Sequence, residues 1–116
     1  MSNEIKEKII QELKKFFEEI KYNKDWVKAM EAMERAVNFG YKGDYSIIGR
    51  VYFDGVGNLL PNHKKAFEWL SRFYLDYKNG EIEDNIEAKT MLELCYDLSN
   101  LYVNCIILKI QDITLE

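Results

Sequence analysis

His63, Cys95 and Cys105 are the side chains of this 116-residue chain best suited to nucleophilic or metal chemistry, and their spacing argues against both. A thiol dyad needs a histidine beside its cysteine. His63 is the single histidine, set between Asn62 and Lys64 at the start of an expected helix, where it faces solvent. Cys95 falls in an apolar helical stripe with Leu92, Leu98 and Leu101, the pattern of a buried and inert thiol. Cys105 lies ten residues further on, about 15 Å along one helix and too far for a disulfide. Neither cysteine has a second cysteine or a histidine within a turn or two, so no metal site is expected. Carboxylate pairs occur at Glu18 and Glu19, Glu31 and Glu34, and Glu83 and Asp84. Dividing general-acid and general-base work between two carboxyls requires that one be buried, whereas these alternate with lysines or open a helix, where solvation and the helix dipole account for them. The "GVGN" at residues 55 to 58 lacks both the lysine-serine/threonine pair and the preceding strand of a phosphate loop. The expectation is a chain that is not an enzyme and holds no cofactor and no metal.

What must be positioned, then, is a recognition surface. With 47% hydrophobic residues, 14% aromatic residues and a single proline, Pro61, the composition is that of one folded domain, 1–116, able to bury a core without disulfides. No apolar run reaches the roughly 20 residues of a membrane span, and "MSNEIKEKIIQELKKFF" lacks the pattern of a secretory signal, so a cytoplasmic location is expected. Net charge is -4, unevenly spread: through Lys78 there are 14 Lys/Arg against 12 Asp/Glu, and beyond it only Lys89 and Lys109 oppose eight acids. Such an acidic third repels phosphate backbones, which argues against direct nucleic-acid binding and for attraction to basic partners.

Apolar residues at Ile5, Ile9, Leu13, Phe16, Phe17 and Ile20 recur with helical period and predict a helix over 3–21. Asn23 is the expected cap of a second helix, with a stripe through Trp26, Met30, Met33 and Val37 and a stop at Gly40. A third helix is expected from about Asp44 to Asp54, using Ile48, Val51 and Tyr52. Asn62 caps a fourth, "HKKAFEWLSRFYLDYK", whose inner side holds Ala66, Trp69, Leu70 and Phe73. "DNIE" at 84–87 opens a fifth as a capping-box variant. About five helices joined by short loops make an all-α fold of successive antiparallel hairpins.

Gly49 stands inside the third helix, where glycine costs about 1 kcal/mol relative to alanine. A close helix crossing explains it, with Ala66 as the expected small partner. Gly55 and Gly57 are expected to supply positive φ values that reverse the chain.

The series Ile48, Gly49, Tyr52, Gly55, Gly57, Lys65, Ala66 and Trp69 resembles the Sel-one-like repeat, a relative of the tetratricopeptide repeat. One residue is inserted between Gly57 and Lys65, the family's loop aspartate is absent, and Asp44 replaces its first alanine. Lys28, Ala29, Arg35, Ala36 and Gly40 resemble the end of a preceding unit. Ala88, Leu92 and Tyr96 resemble the start of a following one, though Glu93 replaces its glycine and a buried charge there forbids a close crossing. The resemblance implies a short α-solenoid or right-handed superhelical bundle, with 1–22 as a capping helix, 24–80 as the repeat core and 81–116 as an acidic helical region.

In such a stack the first helix of each unit lines a groove. Ser46, Arg50, Phe53 and Asp54 then face a protein or peptide partner, with Thr90, Leu94 and Asp97 at the corresponding offsets of the later helix. Arg50 and Phe53 are the strongest anchors, because arginine and aromatics dominate interface energetics. The leading expectation is a noncatalytic protein-interaction module. The alternative is a small stoichiometric inhibitor, an immunity or phage anti-defence protein, whose acidic surface at Glu81, Glu83, Asp84 and Glu87 occludes a basic nucleic-acid-binding region of an effector. So short a stack also leaves an end face that a second copy can cover, making a homodimer.

Overall fold

Helices begin in this chain where a short polar side chain can satisfy their free amides. The computed structural model describes residues 2–83 and Asn100. Ser2 Oγ accepts from the Ile5 amide at 3.2 Å and opens α1, Asn3–Glu18. Asp25 Oδ1 accepts from the Lys28 amide at 3.0 Å and opens α2, Trp26–Asn38. Asn62 Oδ1 accepts from the Lys65 amide at 3.0 Å and opens α4, His63–Lys78. Between them α3, Ser46–Asp54, starts at Tyr45 without a side-chain cap. Asp44 substitutes from one residue further back, accepting from the Ser46 amide at 2.9 Å and the Ser46 hydroxyl at 2.6 Å.

Asn23 is not the cap of the second helix. The first helix runs on through a π-helical turn, Glu19–Asn23, in which Asn23 Nδ2 donates to Glu19 Oε2 at 3.1 Å. Lys24 then takes a left-handed conformation, φ 53°. The wider turn delays the chain reversal by two residues, and Asp25 inherits the capping role. The Lys28 amide, and next the Asn58 side chain, hold the Asp25 carboxyl below its usual value of 3.8. Its contribution is therefore present above that pH and lost as pH falls through the lowered value. At the Asn62 cap, alanine is expected to cost about 1 kcal/mol, read as a lower urea midpoint with an unchanged slope.

The fold is all-α, with no strand among the described residues and an isolated bridge between Val56 and Leu59. Side-chain pairs fix how the helices lie. Lys8 sits over the Phe39 ring and Glu12 pairs with Arg35 at 2.9 Å, so partners on α2 descend as those on α1 ascend. Across α3 and α4 the same holds for Tyr45 with Phe73 and Phe53 with His63. Both pairs are antiparallel hairpins, and α2 meets α3 over only a short stretch. One core nonetheless runs through both, including Phe16, Met30, Met33, Ile48, Leu70 and Phe73.

Polar bonds between distant residues lock the two hairpins together. Tyr52 donates its hydroxyl to Glu34 Oε1 at 2.9 Å, and Arg72 Nη1 donates to Asn38 Oδ1 at 2.9 Å. The α3–α4 loop clamps the start of α2: Asn58 Oδ1 accepts from the Trp26 amide at 2.7 Å and Asn58 Nδ2 donates to Asp25 Oδ1 at 2.9 Å. Gly55 and Gly57 have φ of 71° and 54°, as the reversal requires, and a Cβ on Gly57 would lie 2.7 Å from the Trp26 ring. Glu34 is thus a hydrogen-bond acceptor to a buried phenol and not merely a solvated carboxylate. The fifth helix, Cys95 and Cys105 fall outside the described residues.

Candidate functional site

Gly49 sets the spacing on which the site depends. A Cβ built there would lie 2.3 Å from Leu70 Cγ, 2.8 Å from Leu70 Cδ2 and 3.1 Å from the Ala66 carbonyl oxygen. The close approach expected at this glycine is present, with a different principal neighbour: the Leu70 side chain fills the space and Ala66 contributes its carbonyl. Leucine fits because Ala66, one turn earlier and fully buried, leaves room beside it.

The same hairpin carries a cleft of about 280 Å³, lined by Arg50, Phe53, Asp54 and Leu70. Arg50, Phe53 and Asp54 follow at helical intervals on α3 and share one side of it. Phe53 is half-buried and stacks on His63, with ring centroids 5.0 Å apart and planes 30° from parallel. His63 is accordingly half-buried against an aromatic ring, where solvent exposure had been expected. Asp54 is exposed.

Ser46 does not join them. It is buried, and its hydroxyl is committed to Asp44. Helical spacing places it one turn before Arg50, but at the first residue of α3 it serves the helix start. Thr90, Leu94 and Asp97 lie outside the described residues, as do Asp84 and Glu87 of the acidic surface. Of the other acids, Glu81 pairs with Lys42 at 3.4 Å, and the Glu83 amide donates to the Lys42 carbonyl at 2.8 Å. Part of that negative charge is therefore answered within the chain.

Family models, curated proteins and solved structures each return no match. Among the described residues no three His, Cys, Asp or Glu side chains converge as a metal site requires. No described helix is long and apolar enough to cross a membrane.

Sequence reasoning missed the tyrosines that tie α3 to the helices on either side. Tyr45 is buried, its ring edge-on to Phe73 at 5.1 Å and to Trp69 at 6.2 Å, and its hydroxyl donates to Asp76. Burial first, and then Asp76, push the Tyr45 hydroxyl above its usual value of 10.0; burial and Glu34 do the same to Tyr52. Both phenols stay protonated donors at neutral pH. The available signal was a tyrosine at each end of α3, Tyr45 before it and Tyr52 within it, together with acids on the helices to either side.

Proposed function

We propose that this chain is a noncatalytic protein-interaction module that seats a protein or peptide segment in the α3–α4 cleft, and that this hairpin is a Sel-one-like unit. The observation that carries the reading is the convergence of Arg50, Phe53 and Asp54 around one concavity beside Leu70. Phe53, backed by His63, offers an aromatic surface that loses little side-chain freedom on binding, and the flanking charges of opposite sign supply orientation. The support for the repeat is the placement of its glycines: Gly49 at the crossing, Gly55 and Gly57 at the reversal.

A photo-crosslinking amino acid placed at the exposed Asp54 tests the cleft inside the source cell. It is expected to give a discrete protein adduct that disappears when Arg50 and Phe53 are also changed to alanine in a chain still folded by circular dichroism. The same probe at Glu68, exposed on α4, is expected to give none. Equal adducts from both positions, or none from Asp54, would remove the cleft as the binding site.

A further inference from the structure

The amino-terminal helix presents an exposed face on residues separate from the α3–α4 cleft. Ile9 and Phe16 are buried, and Leu13 and Ile20 pack partly against the core. Along the neighbouring flank Lys6, Ile10, Lys14, Phe17 and Lys21 recur at steps of four, four, three and four residues. Such steps align them in one row along the helix. All five are exposed, Phe17 at 64% and Ile10 at 51%, and Tyr22 beside them at 70%. A hollow lies at each end. One, of about 500 Å³, is bounded by Lys6, Ile9 and Ile10 with Tyr41, Lys42 and Glu83; the other, of about 440 Å³, by Lys14, Phe17, Glu18, Lys21 and Tyr22.

Scattered exposed apolar residues need no explanation, but a row in which they alternate with lysines does. Among the described residues Arg35 pairs with Glu12 and Lys42 with Glu81, whereas Lys6, Lys14 and Lys21 form no ion pair. Glu7 and Glu18 are exposed on the same helix; Glu18 borders the second hollow and Glu83 the first, so each hollow sets two lysines against one acid. We propose that this row docks an acidic amphipathic helix of a partner protein, whose apolar side chains enter the two hollows against Ile10 and Phe17 while its carboxylates meet Lys6, Lys14 and Lys21. The row spans about 20 Å, close to four helical turns. Two discrete hollows receive side chains and not a flat bilayer.

The test titrates the full chain calorimetrically with a synthetic helical peptide of about 18 residues, leucines on one face and glutamates on both shoulders. The chain is expected to bind it, more weakly at higher salt. Lys14→Glu with Lys21→Glu is expected to weaken binding about tenfold or more, and Phe17→Ala by a similar factor. Lys28→Glu with Lys64→Glu makes the same change in net charge in the first turns of α2 and α4, where acids are tolerated, and is expected to leave binding within about twofold. If the charge reversal on α1 unfolds the chain, Lys14→Gln with Lys21→Gln replaces it, with the same direction expected. Absence of peptide binding, equal weakening by both double substitutions, or binding to phosphatidylserine vesicles in preference to the peptide would each overturn the proposal. So would light scattering showing that a second copy occupies the row and excludes the peptide.

Discussion

Replacing Tyr45 by alanine is expected to lower stability by about 3–5 kcal/mol, the range for deleting a buried aromatic side chain. Its ring is 1% exposed and edge-on to two others, so its removal opens a cavity between α3 and α4 that Phe73 and Trp69 cannot both close. Against a total stability of about 5–15 kcal/mol for a domain of this kind, the loss is readily measured by urea denaturation. Tyr45→Phe separates the ring from the hydroxyl. It keeps both aromatic contacts and deprives Asp76 of a donor, for an expected loss of about 1–3 kcal/mol.

The same hydroxyl predicts an alkaline limit. Because the folded chain holds the Tyr45 and Tyr52 protons more tightly than the unfolded chain does, their contribution is complete below the usual value of 10.0 and is lost as pH rises through the raised folded values. Stability of the native chain should fall above that pH, and a chain carrying Tyr45→Phe with Tyr52→Phe should fall less steeply.

Gly49→Ala is expected to destabilise by about 2 kcal/mol, although the same change at an open helical position would stabilise by about 1 kcal/mol. The sign follows from space. Leu70 is struck at its Cγ, not at a chain end, and the Ala66 carbonyl belongs to the α4 backbone, so relief requires Leu70 to leave its place in the core for the cleft or the helices to separate. Leu70 also lines the cleft with Arg50, Phe53 and Asp54. The substitution should therefore weaken crosslinking from Asp54 even where the chain remains folded.

Helix periodicity was legible because each of α1, α2 and α4 carries an apolar stripe bounded by polar positions and turn residues. Asn62 was legible as a cap, and Asp25 shows why another was harder to place. Asn23 and Asp25 are both good caps two residues apart, and the choice was made by the π-helical turn and the left-handed Lys24, which periodicity does not register. Adjacent Phe16 and Phe17 cannot both face inward, since neighbours on a helix are about 100° apart; Phe16 is buried and Phe17 carries the outer row. Tyr45 with Asp76, Tyr52 with Glu34 and Asn58 with Trp26 join residues 31, 18 and 32 apart. Partners of that kind follow from the register between helices, which loop geometry sets and composition does not reveal. In the cleft, Arg50, Phe53 and Asp54 were legible as one face of a short helix. Ser46 was not, because the Asp44 turn captures its hydroxyl at the point where the helix begins.

The closeness of α3 to α4 at Gly49 underlies both the shared core and the walls of the cleft, and a double-mutant cycle probes it directly. Stability is measured for the native chain, Gly49→Ala, Leu70→Ala and the double variant, with a stabilising osmolyte in all four so that each starts folded. Gly49→Ala should cost about 2 kcal/mol when Leu70 is present, and should be neutral or stabilising once Leu70 is truncated. An equal cost in both backgrounds, within about 0.5 kcal/mol, would contradict it.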